Sequence, residues 1–238
     1  MDEATAQRLN DLNQRFYQTV SVSFDQSRQS AWPGWSRLLE HLPARRPLRV
    51  LDAGCGNGRL ALFLARAGMM LDYAGVDSSA ALLGAAERAL TALPNVTAAV
   101  IEADFIMDHE ALPDEPYDLV ALFGVLHHVP GIARRQALIA ALAARTAPGG
   151  LLAFTAWRFL DTPRFQQRLL APPADLALEA DDYLLDWRAG EAPTLRYCHY
   201  CDDAELETLA KASGLTRIGG YRADGQTGGL NAYCLLRR

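Results

Sequence analysis

The chain has 238 residues, half of them hydrophobic, and a formal net charge of -5. That length fits one large domain, or one domain with an added subdomain. The acidic balance excludes a generally basic surface built for nucleic acid, while leaving room for a local patch.

The opening "MDEATAQRLN" is acidic and polar, so no secretory signal is expected there. No uninterrupted apolar stretch is long enough to cross a bilayer, and no membrane partner is expected. Cys55, Cys198, Cys201 and Cys234 are too few and too scattered for a disulfide framework. A reducing, cytoplasmic setting is the expectation. Every basic residue is arginine except Lys211, and the planar arginine fork suits carboxylate or phosphate.

In chain order, Leu9, Leu12, Phe16 and Val20 recur at helical spacing within residues 3–31. "AWPGWSRLLEHLP" restarts a short helix that ends at Pro43. "PLRVLDAGC" reads as a buried strand, "GRLALFLARAG" as a helix closed by Gly68, and "LDYAGVDSS" as a second strand. Ser78 or Ser79 is placed to cap the helix "AALLGAAERALTAL". "VTAAVIEADF" is a third strand, and "YDLVALFGVLHHV" begins with a fourth. "ARRQALIAALAART" is another helix, and "PGGLLAFTAW" turns into a fifth strand.

From about 158 to 200 the pattern turns irregular, with "LAPPADLALEADDYLLDW" rich in proline and acid. Loops that long are usually functional, so an insertion or lid is expected. "CDDAELETLAKASG" reads as a helix capped by Asp202 or Asp203 and stopped by Gly214. Two closing strands follow. The strand-helix alternation predicts a parallel sheet with helices on both faces. One domain is expected: an N-terminal helical cover over 1–45, a core over 46–157, the insertion over 158–200, and a closing helix and strands over 201–238.

The first strand runs into "VLDAGCGNGRL", with Gly54, Gly56 and Gly58 at alternate positions after Asp52. A glycine-rich strand-to-helix turn lets the backbone approach a ligand closely. Asp77 ends the second strand, where a carboxylate can accept from both ribose hydroxyls. Asp104 ends the third, placed to accept from an adenine amino group with Phe105 or Ile106 against the ring. Nicotinamide dinucleotides and S-adenosyl-L-methionine compete for such a loop. The dinucleotide fingerprint requires G-x-G-x-x-G, and here the third glycine comes one position early.

The D-x-G-x-G-x-G run, with an acid at each of the next two strand ends, resembles class I S-adenosylmethionine-dependent methyltransferases. The resemblance spans about residues 46–157. It implies a Rossmann-like α/β fold with a seven-stranded mixed sheet whose last strand is antiparallel. It also implies cofactor contacts from Asp52, Gly54, Gly56, Asn57 and Gly58, with Cys55 packed inside the loop. Further contacts would come from Asp77, Ser78, Asp104 and Phe105, and from Phe123, Gly124 and Leu126 after the fourth strand.

A narrower resemblance follows from "FDQSRQSAWPGW", "GVLHHVPGIARRQAL", "AFTAW", "RYCHYCDDAELETL" and "NAY". In this order they are similar to segments of the tRNA wobble-uridine carboxymethyl methyltransferases, which esterify a carboxymethyl group. A carboxylate is already ionised at neutral pH and needs no base. It needs orientation and loss of water. Arg28, His127 or His128, Arg196, Tyr197 and His199 offer forks and donors for that. The resemblance implies tRNA as partner, and some relatives use a small zinc-binding activator subunit. Two further readings stay open, a small carboxylate or phenolate acceptor and a non-enzymatic cofactor-binding regulator. Cys198 and Cys201 have C-x2-C spacing with no second ligand pair, so they read as thiols rather than a metal site.

Overall fold

A computed structural model describes residues 1–27, 30–187 and 194–238. The chain opens with α1 (Glu3–Ser27) and a 3-10 helix (Pro33–His41). It then alternates through β1 (Leu48–Ala53), α2 (Arg59–Arg66), β2 (Leu71–Asp77), α3 (Ala80–Thr91), β3 (Val96–Glu102) and β4 (Tyr117–Leu122). After a 3-10 turn (Leu126–His128) come α4 (Ile132–Ala144), β5 (Thr146–Trp157), α5 (Pro163–Gln166), β6 (Leu169–Leu170), β7 (Asp182–Trp187) and β8 (Thr194–His199). The chain closes with α6 (Asp203–Ala212), β9 (Thr216–Ala223) and β10 (Asn231–Arg237).

Seven strands form one mixed sheet in the order β3-β2-β1-β4-β5-β10-β9. Strands β1 to β5 are parallel, and β10 runs antiparallel between β5 and β9. Alternate residues of each central strand face opposite layers. Leu119 and Ala121 pack with Leu60 and Leu64 of α2, while Val120 and Leu122 pack with Leu138 of α4 and Leu209 of α6. Burial on both faces explains why these strands read as continuous apolar runs. Ser79 caps α3, accepting from the Leu82 amide, and Asp202 caps α6, accepting from the Glu205 amide at 2.8 Å.

Strand order reverses at β1, which pairs with β2 on one side and β4 on the other. Loops diverge at such a switch point and leave a crevice beyond the carboxyl ends of the strands. The loops after β1 and β4 meet there.

The segment expected to be irregular contains a three-stranded antiparallel sheet, β6-β7-β8. "DYLLDW" has the period-two alternation of a half-buried strand. In its pairing with β8, Leu185 opposes Arg196 and Tyr183 opposes Cys198, while Leu184 opposes Tyr197 and Asp182 opposes His199. The first set faces Trp157, Phe159 and Phe165. Leu184 and Tyr197, from the second set, pack with Leu9 of α1. The insertion is therefore a wall of the site crevice, held against α1.

Candidate active site

The β1–α2 loop is pressed against its neighbours. Gly54 and Cys55 donate to the Val76 carbonyl at 2.7 and 3.1 Å. A Cβ on Gly54 would lie 2.1 Å from Val125 of the β4 loop. Gly56, at φ +54°, donates to the Asp77 carboxylate at 2.9 Å, and Ser79 donates to the other oxygen at the same distance. Burial raises the Asp77 pKa, opposed by the backbone amides of Ser79, Gly56 and Ser78.

Two adjoining cavities occupy the crevice. The narrower, about 120 Å³, is bounded by Gly54, Cys55, Gly56 and Asn57, by Asp77 and Ser78, by Asp104 and Phe105, and by Phe123 and Gly124. These ten sequence-expected positions converge on one cleft. Helix α1 roofs it. Asn10 and Gln14 donate to the same Asp104 oxygen at 2.6 and 2.7 Å, and Asn13 and Tyr17 project beside them. Sequence reasoning missed these four residues. Their signal was a polar stripe at i, i+3, i+4 and i+7, beside the apolar residues that defined the helix.

The second cavity, about 550 Å³, lies between this cleft and the insertion. His127, Trp157, Trp187 and Arg196 line it, with Arg164 and Arg168 beyond. Arg196 is 3% exposed. Its guanidinium sits over the rings of Trp157, Phe16 and Trp187 at 4.7, 5.3 and 5.5 Å, and its Nε has no hydrogen-bond partner. Among the described residues no carboxylate pairs with it. Cation–π contacts stabilise the head group, yet a buried charge without a counterion is costly.

The two histidines divide between the cavities. His127 faces the wide one and packs 5.0 Å from Trp157. His128 faces the narrow one. His128 Nδ1 lies 3.0 Å from the Tyr197 carbonyl and 3.2 Å from the Asn13 amide nitrogen, and Nε2 lies 2.7 Å from the Tyr17 hydroxyl. A proton on Nδ1 satisfies the carbonyl, the shorter contact, which leaves Nε2 to accept from Tyr17. His128 is thus a positioned ring rather than a free base. The donor atoms of His127, His128 and Cys198 lie within 4.8 Å of one another. Burial pushes the Cys198 thiol up to about 11, with Arg196 opposing, so it is a neutral packing group.

Several expected residues stand elsewhere. Gly58 does not line the cleft. A Cβ there would lie 3.2 Å from Ala86 and 3.3 Å from Leu90, so this glycine lets α2 approach α3. Leu126 is fully buried in the α4 core. Asp52 lies beneath the loop, where the Tyr73 hydroxyl donates to it at 2.8 Å. Burial raises its pKa to about 7, the Tyr73 bond opposing and the Asp77 charge adding.

Tyr197 and His199 also reach neither cavity, because they occupy the opposite face of β8 from Arg196. Tyr197 donates to Asp182 at 2.7 Å. His199 bridges Asp182 at 2.8 Å and Glu205 at 2.6 Å, and Arg135 donates to Glu205 at 2.6 Å. Burial opposes the charged imidazole, but the two carboxylates outweigh it and raise the His199 pKa. This network ties β7, β8, α4 and α6 together. Arg28 lies outside the described residues.

A family model described as a methyltransferase domain matches residues 25–218. The chain is 30% identical to a trans-aconitate 2-methyltransferase of Streptomyces avermitilis, over 76% of this chain and 61% of that enzyme. It is also 30% identical to a ubiquinone biosynthesis O-methyltransferase of Hydrogenovibrio crunogenus, over 70% of this chain and 61% of that one. The chain thus spans less than two thirds of either enzyme. Among solved structures, an S-adenosylmethionine-dependent methyltransferase of Clostridium acetobutylicum superposes with TM-score 0.67 at 14% identity, covering 93% of this chain and 98% of that one. The magnesium protoporphyrin IX methyltransferase of Synechocystis, solved with bound S-adenosylhomocysteine, gives 0.58 at 19% identity, covering 97% and 84%.

Proposed function

Because the chain belongs to the methyltransferase domain family and takes S-adenosyl-L-methionine as cofactor, we propose that it is an O-methyltransferase that esterifies a carboxylate. The observation that carries this is Arg196, a buried guanidinium facing the wide cavity with no carboxylate partner among the described residues.

The narrow cleft fits the cofactor. A Cβ on Gly56 would meet only Leu82, at 4.0 Å, so the loop backbone itself forms that wall. Asp77 and Asp104 face the cleft beside Phe105, and we assign them as acceptors for the ribose hydroxyls and the adenine amino group. When bound, the cofactor supplies an electrophilic methyl group on a sulfonium.

The remaining work falls to the second cavity. A carboxylate with the reference pKa of its class is ionised at neutral pH, so no base is required. Arg196 holds the anion through charge-assisted hydrogen bonds and fixes its direction. His127, on the same wall, offers a further donor. Trp157 and Trp187 exclude water, which strengthens the attraction between an anion and a sulfonium. Because a phenol must first lose a proton, Arg196 favours the carboxylate.

The sequence resemblance supports a second reading, the same esterification on a carboxymethyl group carried by tRNA. Arg164 and Arg168 beside the wide cavity favour it, since phosphates are natural partners of such residues. Labelled S-adenosylmethionine is to be incubated with the purified protein and a panel of small carboxylic acids, a panel of phenols, or bulk tRNA. Turnover of an acid supports the first reading, and turnover of tRNA alone supports the second. A phenol as the sole acceptor overturns both.

A further inference from the structure

The wide cavity holds more positive charge than one carboxylate needs. Among the described residues, Arg59, Arg164, Arg168 and Arg196 line it against one acid, Asp224. That acid already accepts three hydrogen bonds. Gly34 donates to one oxygen at 2.9 Å, while Asn231 and Tyr233 donate to the other at 2.9 and 2.7 Å. Arg59 donates to the Ser30 carbonyl at 3.2 Å and lies against Trp32 and Trp35, at the junction of the two cavities.

Arg164 and Arg168 are different. Nearby Arg135, Arg158 and Arg222 pair with Glu205, Asp203 and Asp161. Among the described residues, neither Arg164 nor Arg168 has a carboxylate partner, although the chain carries a net charge of -5. Arg164 is exposed and Arg168 half-buried. Arg164 lies in α5 with its guanidinium 4.6 Å over the Phe165 ring. Arg168 follows α5, and its carbonyl accepts from the Asp186 amide at 3.0 Å, which fixes it beside β7.

We propose that the methyl acceptor carries a second anionic group, remote from the carboxylate that is esterified, and that Arg164 and Arg168 bind it. This rests on the reading of Arg196 as the clamp for the reacting carboxylate. Two guanidiniums facing one cavity attract the ligand from a distance and select acceptors that bear two negative charges. The second anion has two chemical sources, another carboxylate of a small acid or a backbone phosphate beside a modified nucleoside.

The test compares full-length wild-type enzyme with the double variant Arg164→Gln, Arg168→Gln. Acceptors are straight-chain dicarboxylic acids of increasing length, each beside the mono-acid of equal length, and bulk tRNA. For the best di-acid, KM in the double variant rises roughly tenfold, while the mono-acid KM and the cofactor Kd stay within about twofold. If tRNA is the acceptor, its KM rises in the same way and its salt dependence weakens, which assigns the subsite to phosphate. Equal effects on di-acid and mono-acid, or none on either, overturn the proposal while leaving Arg196 in place. If wild-type enzyme binds cofactor but methylates neither acids nor tRNA, the carboxylate reading itself falls and this one with it.

Discussion

The Tyr17 hydroxyl stands 2.7 Å from Nε2 of His128, and Tyr17 borders both cavities. A helix near the N-terminus thus reaches the wall between cofactor and acceptor. Tyr17→Phe removes a bond worth about 1 kcal/mol, so kcat is expected to fall about fivefold. Affinity for S-adenosylhomocysteine by calorimetry is expected to stay near wild type. Loss of affinity with unchanged kcat would move Tyr17 to a purely cofactor-holding role.

Arg196→Met separates binding from folding. Replacing a buried charge that has no carboxylate partner among the described residues by an apolar side chain is not expected to lower the melting temperature. Orientation of the acceptor is lost, so kcat/KM is expected to fall on the order of a hundredfold. The cofactor Kd stays unchanged. A variant with near-normal kcat/KM would remove Arg196 from the site.

Two glycines of one loop, both at positive φ, are expected to lose different properties on substitution by alanine. At Gly56 an added Cβ meets only Leu82 at 4.0 Å, so Gly56→Ala folds, at a cost of about 1 kcal/mol for the positive φ. Cofactor affinity is the property that suffers. At Gly58 the Cβ presses on Ala86 and Leu90, so Gly58→Ala lowers the melting temperature. Thermal melts with and without S-adenosylhomocysteine distinguish the two.

Asp52 gives a pH signature. Its folded pKa of about 7 lies above the unfolded carboxylate value of about 4. The folded state then binds the extra proton, so stability is complete below about pH 4 and falls as pH rises toward 7. Asp52→Asn keeps a partner for Tyr73 without the charge. The stability advantage of the variant is expected to grow across that window to on the order of 4 kcal/mol, then level off. An advantage independent of pH would contradict the assignment.

Much of the cofactor cleft was legible because its signals are local. A glycine loop, two acids at strand ends and the strand-helix alternation each mark the lining of the cleft within a few residues of sequence. The α1 roof was not legible, since Asn10 and Gln14 meet Asp104 across about ninety residues of chain. Leu9, Phe16 and Val20 defined that helix by its apolar face and drew attention from the polar one. In β8 a usable signal was passed over. Period two along "RYCH" separates Arg196 from Tyr197 and His199, so the three residues could not share one site. The insertion hid its sheet because β6 has two residues and pairs with a strand more than ten positions away.

The central claim is esterification of a carboxylate beside Arg196, and the linkage of the transferred methyl tests it most directly. Product made with methyl-labelled S-adenosylmethionine is to be treated with mild alkali and the volatile fraction counted. A methyl ester hydrolyses and releases labelled methanol, which is the predicted result. Label that stays bound through alkali, as in a phenol ether or an N-methyl group, would contradict the account.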